Sequence, residues 1–396
     1  MSDETKASAT VSDYLRWRGD LTFAQDGFNE VDNLLLCIIS YIKLENIPRL
    51  RSFDPQDAMP MGEVCRLLTE EDEQLGLSTL DYIPLMRQAA ETARFRDVSL
   101  FAFESLHDEA QQMQFAAVSF LLPDGSVYAA YRGTDMTIVG WQEDFNMSFL
   151  SAVPAQVKAA EYAGAVARAC PRRALRIGGH SKGGNLAAWA AVHLDEKLQR
   201  QRLIAAYNND GPGFSRDLVD TPSYQAVADR LFTYIPASSI VGVLLEHAED
   251  YEVVDSTARS IMQHEPLSWC VEGPQFVHLG QRSQLGQLSD GVLREWIGSM
   301  TPQEREQFSR AFFDILSRGG RTKTLEDLRS GGLAAGAALI REYAGADEEK
   351  KKIISEIFRR LAVDVKDELM KAAGAGVRRA GETILATGQA IADLRK

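Results

Sequence analysis

The chain has 396 residues, of which 45% are hydrophobic and 25% charged, with a formal net charge of -13 and a pI near 5.1. This length admits two or three domains, or one enlarged domain with helical additions, and the acidic balance argues against a nucleic-acid surface, which needs clustered Lys and Arg. Cys37, Cys65, Cys170 and Cys270 form no CxxC pair, and no stretch combines a basic start with an apolar run or reaches the roughly 20 apolar residues of a membrane span, so neither a zinc or disulfide framework, a secretory signal nor a transmembrane segment is expected, and the expected location is cytoplasmic.

In chain order, Ser12 and Asp13 are placed to cap a short helix through Trp17, and the run Asn29 to Leu44 is apolar almost all round its helical circumference, which predicts a buried helix. A Pro- and acid-rich passage and another helical pattern from Tyr82 to Arg96 complete a mostly helical layer over residues 1–97. The period then changes. Val98 to Glu104, Phe115 to Leu122 and Ser126 to Tyr131 are rich in aromatic and β-branched residues, with turn chemistry at Pro123, Asp124 and Gly125, and predict antiparallel strands. From Val157 the order is helix to Cys170, strand Ala174 to Gly178, helix Asn185 to Lys197 and strand Leu203 to Asn208, followed by strands near Leu231 to Ile235 and Tyr251 to Val254. Such alternation requires parallel strands with crossover helices, an α/β sheet over residues 98–292.

Residues 293–396 read as a helical extension. Gly331 begins a small-residue patch, GGLAAGAA, and Ile354, Phe358, Leu361, Val365 and Leu369 share one helical face. Charges of both signs beside that face argue against an anionic membrane surface; packing on its own domain is favoured over the alternative, a homodimer contact through these C-terminal helices.

Gly179, His180, Ser181, Lys182 and Gly183 spell GxSxG. The pattern arises by chance in about one chain in ten of this length, so context decides its meaning. A short strand precedes it and an Ala-rich helix begins directly after it, the strand, sharp turn and helix of a nucleophile elbow. Small neighbours let strand and helix approach while Ser181 stands on a strained turn. The following helix then aims its N-terminus at the reacting centre, and the Lys182 N–H is placed to stabilise an oxyanion. A glycine-rich turn with an idle serine is the plainer alternative. Upstream, Tyr131 to Asp135 end a strand where this architecture supplies its second oxyanion donor, here Thr134.

YRGTD at Tyr131 to Asp135 and WQED at Trp141 to Asp144, followed by GHSKGG, resemble the (F/Y)RGT, WxxD and GHSxGG segments of class 3 lipases. The resemblance implies an oxyanion role for Thr134 and a loop-supporting role for Trp141 and Asp144. A longer resemblance rests on DYLRWRGDLTF from Asp13, GFNEVDNLLL from Gly27, NNDGPGF from Asn208 and QHEPLSW from Gln263, which look like an Mbeg-like bacterial family of unknown function with an α/β-hydrolase core.

The base must lie beyond the serine, because the chain order in this fold is Ser, acid, His. His193 falls inside the helix after Ser181. His264, in a loop after a late strand, is the leading candidate over His247 and His278. For the acid, the DxVP segment of class 3 lipases corresponds here to ASSIVG, which offers Ser239 instead. Asp210, in the turn after the strand Leu203 to Asn208, is the best replacement, and Asp255 is the reserve; a turn-forming role for Asp210 ahead of Gly211 and Pro212 is the competing reading. The expected activity is acyl transfer to water from an ester or thioester, with lipid or small acyl-ester substrates implied by the resemblance alone and no metal or organic cofactor required. The rival is a non-catalytic binding protein that keeps the scaffold.

Overall fold

The computed structural model describes residues 8–69, 82–134, 138–247, 249–283 and, with short interruptions, 286–318 and 343–360. These fall into two compact units, one of Met1–Asp108, Met113–Asp135 and Pro154–Arg282, the other of Glu109–Gln112, Met136–Val153 and Ser283–Lys396. Residues 1–97 thus cluster with the sheet, and residues 136–153 with the C-terminal part of the chain.

Among the described residues, the first unit is built on a nine-stranded sheet. Strands β1 (Met59–Pro60), β2 (Ser99–Asp108), β3 (Met113–Leu121) and β4 (Val127–Tyr131) pair antiparallel, and β4, β5 (Leu175–His180), β6 (Leu203–Asn209), β7 (Leu231–Pro236) and β8 (Tyr251–Val254) run parallel in that order. Past a two-stranded ribbon of β9 (Val271–Glu272) and β10 (Gln275–Phe276), β11 (His278–Leu279) closes the far edge antiparallel to β8. This is an α/β-hydrolase-type mixed sheet with flanking helices, as the change of period predicts. The helix after Ser181 is split in two: it ends at His193, and Asp195 caps a second one from Glu196 through its bonds to the Lys197 and Leu198 N–H groups.

Helices cover both faces. Tyr128 and Tyr131, three residues apart on β4, point to opposite sides. Tyr128 donates to Asn33 Oδ1 (2.6 Å) on helix α2 (Glu30–Ile39), whereas Tyr131 donates to the Ala159 carbonyl (2.7 Å) on a helix spanning Pro154–Ala169. The buried character expected of α2 is observed from Val31 through Ile39, although the helix stops at Ile39 rather than Leu44. Helix α1 (Val11–Arg18) starts two residues earlier than a cap at Ser12 suggests: Thr10 is its cap, and Asp13 reaches back to the Thr10 N–H at 3.0 Å. Tyr14 and Arg94 both bond Asp32, all three fully buried, and Arg94 also holds the carbonyls of Leu21, Asp26 and Gly27. A charge placed out of water needs this full set of partners, and the N-terminal layer is organised around it.

In the second unit, Met300, Phe308, Ala311, Ala346, Ile354 and Ile357 form an apolar cluster around the helix Pro302–Arg318. Ile354 is therefore used within its own unit. The small-residue patch from Gly331, the side chain of Phe358 and residues Leu361, Val365 and Leu369 lie outside the described residues, as does the dimer contact expected of that face. Among the described residues no helix is long and apolar enough to cross a membrane.

Candidate active site

Ser181 joins β5 to the helix Lys182–His193 with φ 59° and ψ -134°, a backbone that side chains rarely adopt. Its neighbours explain how the turn closes. A Cβ on Gly179 would collide with the backbone of Gly183, so strand and helix touch here without side chains between them. A Cβ on Gly133 would stand 3.0 Å from the Ser181 Cβ and nearer still to the Tyr41 hydroxyl, which lays the Arg132–Thr134 segment directly against the serine. Thr134 is buried there, after the end of β4.

The Ser181 N–H donates across the sheet to the Asn209 carbonyl at 2.9 Å, and its carbonyl accepts from Gly184 at 2.8 Å. The hydroxyl makes no hydrogen bond to another described residue. Lys182 opens the helix, and its side chain turns inward, fully buried, to donate to the Gln114 carbonyl (2.8 Å) and Oε1 (2.6 Å) on β3. The ammonium group is thereby occupied away from the serine.

Asp210 follows β6 at the matching level of the neighbouring strand. It too has a left-handed φ, 54°, and its N–H donates to the Tyr234 carbonyl at 2.8 Å. The carboxylate is fully buried. It accepts from His264 Nδ1 at 2.6 Å, from Ser239 Oγ at 2.6 Å and from the Gly242 N–H at 3.1 Å. Ser239, the residue that ASSIVG offers, is thus a hydrogen-bond donor to the carboxylate one strand earlier, and Arg282 bonds the Ser239 carbonyl. The remaining candidates are held elsewhere. Asp255 Oδ1 accepts from the adjacent Ser256 N–H (2.8 Å). His247 points its two ring nitrogens at Glu249 Oε1 (3.1 Å) and the Gly242 carbonyl (2.7 Å). Burial opposes ionisation of Glu249, but the bonds from His247, Thr233 and Tyr224 hold its carboxyl below the usual range. His193 stacks on Trp189, and His278 lies between Glu30 and Glu252.

The two longer motifs of this stretch line the same region. In NNDGPGF, Asn208 bonds Gly211 in both directions (2.9 and 3.2 Å) and shapes the Asp210 turn, while Asn209 Nδ2 donates to the Gly179 carbonyl (2.9 Å). Asn185, on the helix after Ser181, holds the carbonyls of Pro212 and Gly213. In QHEPLSW, Gln263 Oε1 accepts from the Ser238 N–H (2.7 Å), Trp269 Nε1 donates to the Gln263 carbonyl (3.0 Å), and Ser268 Oγ to the Glu265 carbonyl (2.6 Å). The loop bearing His264 is therefore tied at both ends. His180, the variable residue of GxSxG, also bonds it: its Nε2 lies 2.8 Å from the His264 carbonyl and the two rings are 4.6 Å apart. The sequence pattern did not single out His180, Asn185 and Asn208; their polar side chains inside otherwise apolar or glycine-rich stretches were the available signal. Asp144 is half-buried, and the side chain of Trp141 lies outside the described residues.

A serine on a strained strand-to-helix turn, with a buried carboxylate and imidazole at the same end of parallel strands, is the arrangement of an α/β-hydrolase-type fold. A family model described as Mbeg1-like matches residues 89–314, more than half of the chain, and the chain belongs to that family. The segments from Asp13 and Gly27 lie ahead of the matched range. Among solved structures the chain is similar to the Rhizomucor miehei lipase in its native propeptide complex (16% identity, TM-score 0.33, 44% of this chain and 71% of that one). It is also similar to M37 lipase (15% identity, TM-score 0.35, 55% and 70%). No curated protein matches.

Proposed function

We propose that this protein is a serine hydrolase that cleaves an acyl ester or thioester through a covalent acyl-enzyme, with Ser181 as nucleophile, His264 as general base and Asp210 as the acid that orients it. The observation that carries this reading is the 2.6 Å bond from His264 Nδ1–H to a fully buried Asp210, beside a serine held in a left-handed turn. That bond leaves His264 Nε2 as the free basic nitrogen. Ser181 Oγ attacks the carbonyl carbon, its proton passes to Nε2, and the N–H groups of Lys182 and Thr134 stabilise the resulting oxyanion. Collapse expels the leaving group with that proton, and water, deprotonated in turn by His264, releases the acid. In this reading the hydrogen bond from the Ser181 hydroxyl to His264 Nε2 forms on substrate binding, as is ordinary for such sites. The substrate class is a small-molecule or lipid acyl ester.

The test compares wild type, Ser181→Ala and His264→Ala with a fluorophosphonate probe and a panel of p-nitrophenyl esters and acyl thioesters. Labelling and turnover confined to wild type are expected. Equal background rates for all three proteins would replace this reading by a non-catalytic binding protein on the same scaffold.

A further inference from the structure

The loop that carries His264 is gripped from the N-terminal helical layer. Tyr41, two residues past the end of α2, places its hydroxyl 2.9 Å from His180 Nδ1, and His180 Nε2 lies 2.8 Å from the His264 carbonyl. A carbonyl only accepts, so Nε2 carries the ring proton of His180, and Nδ1 accepts from the Tyr41 hydroxyl. Burial, reinforced by the neighbouring His264 ring, holds His180 well below the usual imidazole range, which keeps it neutral and in this one tautomer. A second contact lies beside the first: the Tyr82 hydroxyl donates to Glu265 Oε1 at 3.1 Å, with the Tyr82 and Tyr41 rings 5.9 Å apart. His180 bonds the His264 backbone, Tyr41 bonds His180 and Tyr82 bonds the Glu265 carboxylate, while none of the three hydrogen-bonds Ser181 or a ring nitrogen of His264.

We propose that Tyr41 and His180 form a positioning relay that fixes the backbone of His264, with Tyr82 on Glu265 as its second clamp, so that the N-terminal layer is part of the catalytic apparatus rather than a separate cover. This rests on the reading of His264 as the general base. The residue before the nucleophile thereby acquires a positioning role, because its imidazole spans from the layer to the base, and only a side chain with a donor at the Nε2 position can make the second link. Glutamine has such a donor and leucine does not.

The experiment uses the full-length protein with His180→Leu, His180→Gln, Tyr41→Phe and Tyr82→Phe. Two readouts are taken: the rate of fluorophosphonate labelling, and the downfield proton resonance of the His264 Nδ1–H bonded to Asp210, assigned by its loss in His264→Ala. His180→Leu is expected to lower the labelling rate about tenfold or more and to broaden that resonance, as expected when a hydrogen bond to a positioned group is lost. His180→Gln stays within about threefold of wild type, and Tyr82→Phe has the smallest effect. Tyr41→Phe, which preserves ring volume, tests the same relay should His180→Leu fail to fold, and is expected to fall between His180→Leu and His180→Gln. Wild-type labelling and an unaltered resonance in both His180→Leu and Tyr41→Phe would overturn the relay, as would His180→Gln behaving like His180→Leu. A wild type that never labels sinks the hydrolase reading instead, while the resonance still shows whether the relay orders His264.

Discussion

Two turns at the same end of neighbouring strands carry the same backbone strain and opposite side-chain fates. Ser181 after β5 and Asp210 after β6 have φ of 59° and 54°, and each is pinned by its N–H to the next strand along. Yet Asp210 accepts three hydrogen bonds, whereas the Ser181 hydroxyl has none among the described residues. Strained backbone persists where its surroundings over-determine it. Here the same device leaves one side chain without a hydrogen bond among the described residues and holds the other in a single orientation.

The contrast between the two turns can be broken first at Asp210. Asparagine tolerates a left-handed φ, so Asp210→Asn keeps the turn while removing the charge, and steady-state kinetics should show ester turnover reduced about 10³–10⁴-fold if Asp210 orients His264. Loss of less than tenfold would assign that role to another group. Ser239→Ala removes a single bond to the carboxylate and is expected to lower kcat/KM about tenfold with KM nearly unchanged.

The two strained turns separate again under glycine substitution, measured by thermal unfolding. Ser181→Gly relieves the backbone and loses no hydrogen bond, so a gain of about 1 kcal/mol is expected. Asp210→Gly relieves similar strain but abandons the buried Ser239, Gly242 and His264 donors, and should be net destabilising. Equal signs for the two would mean that the side-chain difference carries no energetic weight.

The smallest effect concerns His180 and pH. Its folded pKa is depressed, so the unfolded chain takes up a proton that the native protein refuses as pH falls through the ordinary imidazole range, and stability drops with it. Between pH 7 and pH 6 the loss from this residue is under about 1 kcal/mol. Denaturant titrations should show that part of the slope missing in His180→Gln.

The strained turn at Ser181 was readable because its requirements are local. Gly179, Gly183 and the helix after them must be contiguous for strand and helix to touch, so the pattern and its context sit in one short segment. The sheet was readable for the same reason, through the change from helical to alternating spacing near Val98. The acid was harder: Asp210 stands before Gly211 and Pro212, and a turn-forming aspartate has the same neighbours as an orienting one. The contact from His264, 54 positions away along the chain, appears only once the chain is folded. The division of the helix at Asp195 was hidden because an Ala-rich run conceals its end until a capping bond forms.

Composition, period and the spacing of glycines thus suffice for the α/β class, the elbow at Ser181 and the order of the parallel strands' segments, since each depends on residues adjacent in the chain. The bond from Ser239 to Asp210, the inward turn of Lys182 and the reach of Tyr41 to His180 depend on which strands become neighbours and which helices cover them. Those contacts span long stretches of sequence, and burial selects among polar side chains only after packing has decided which of them meet.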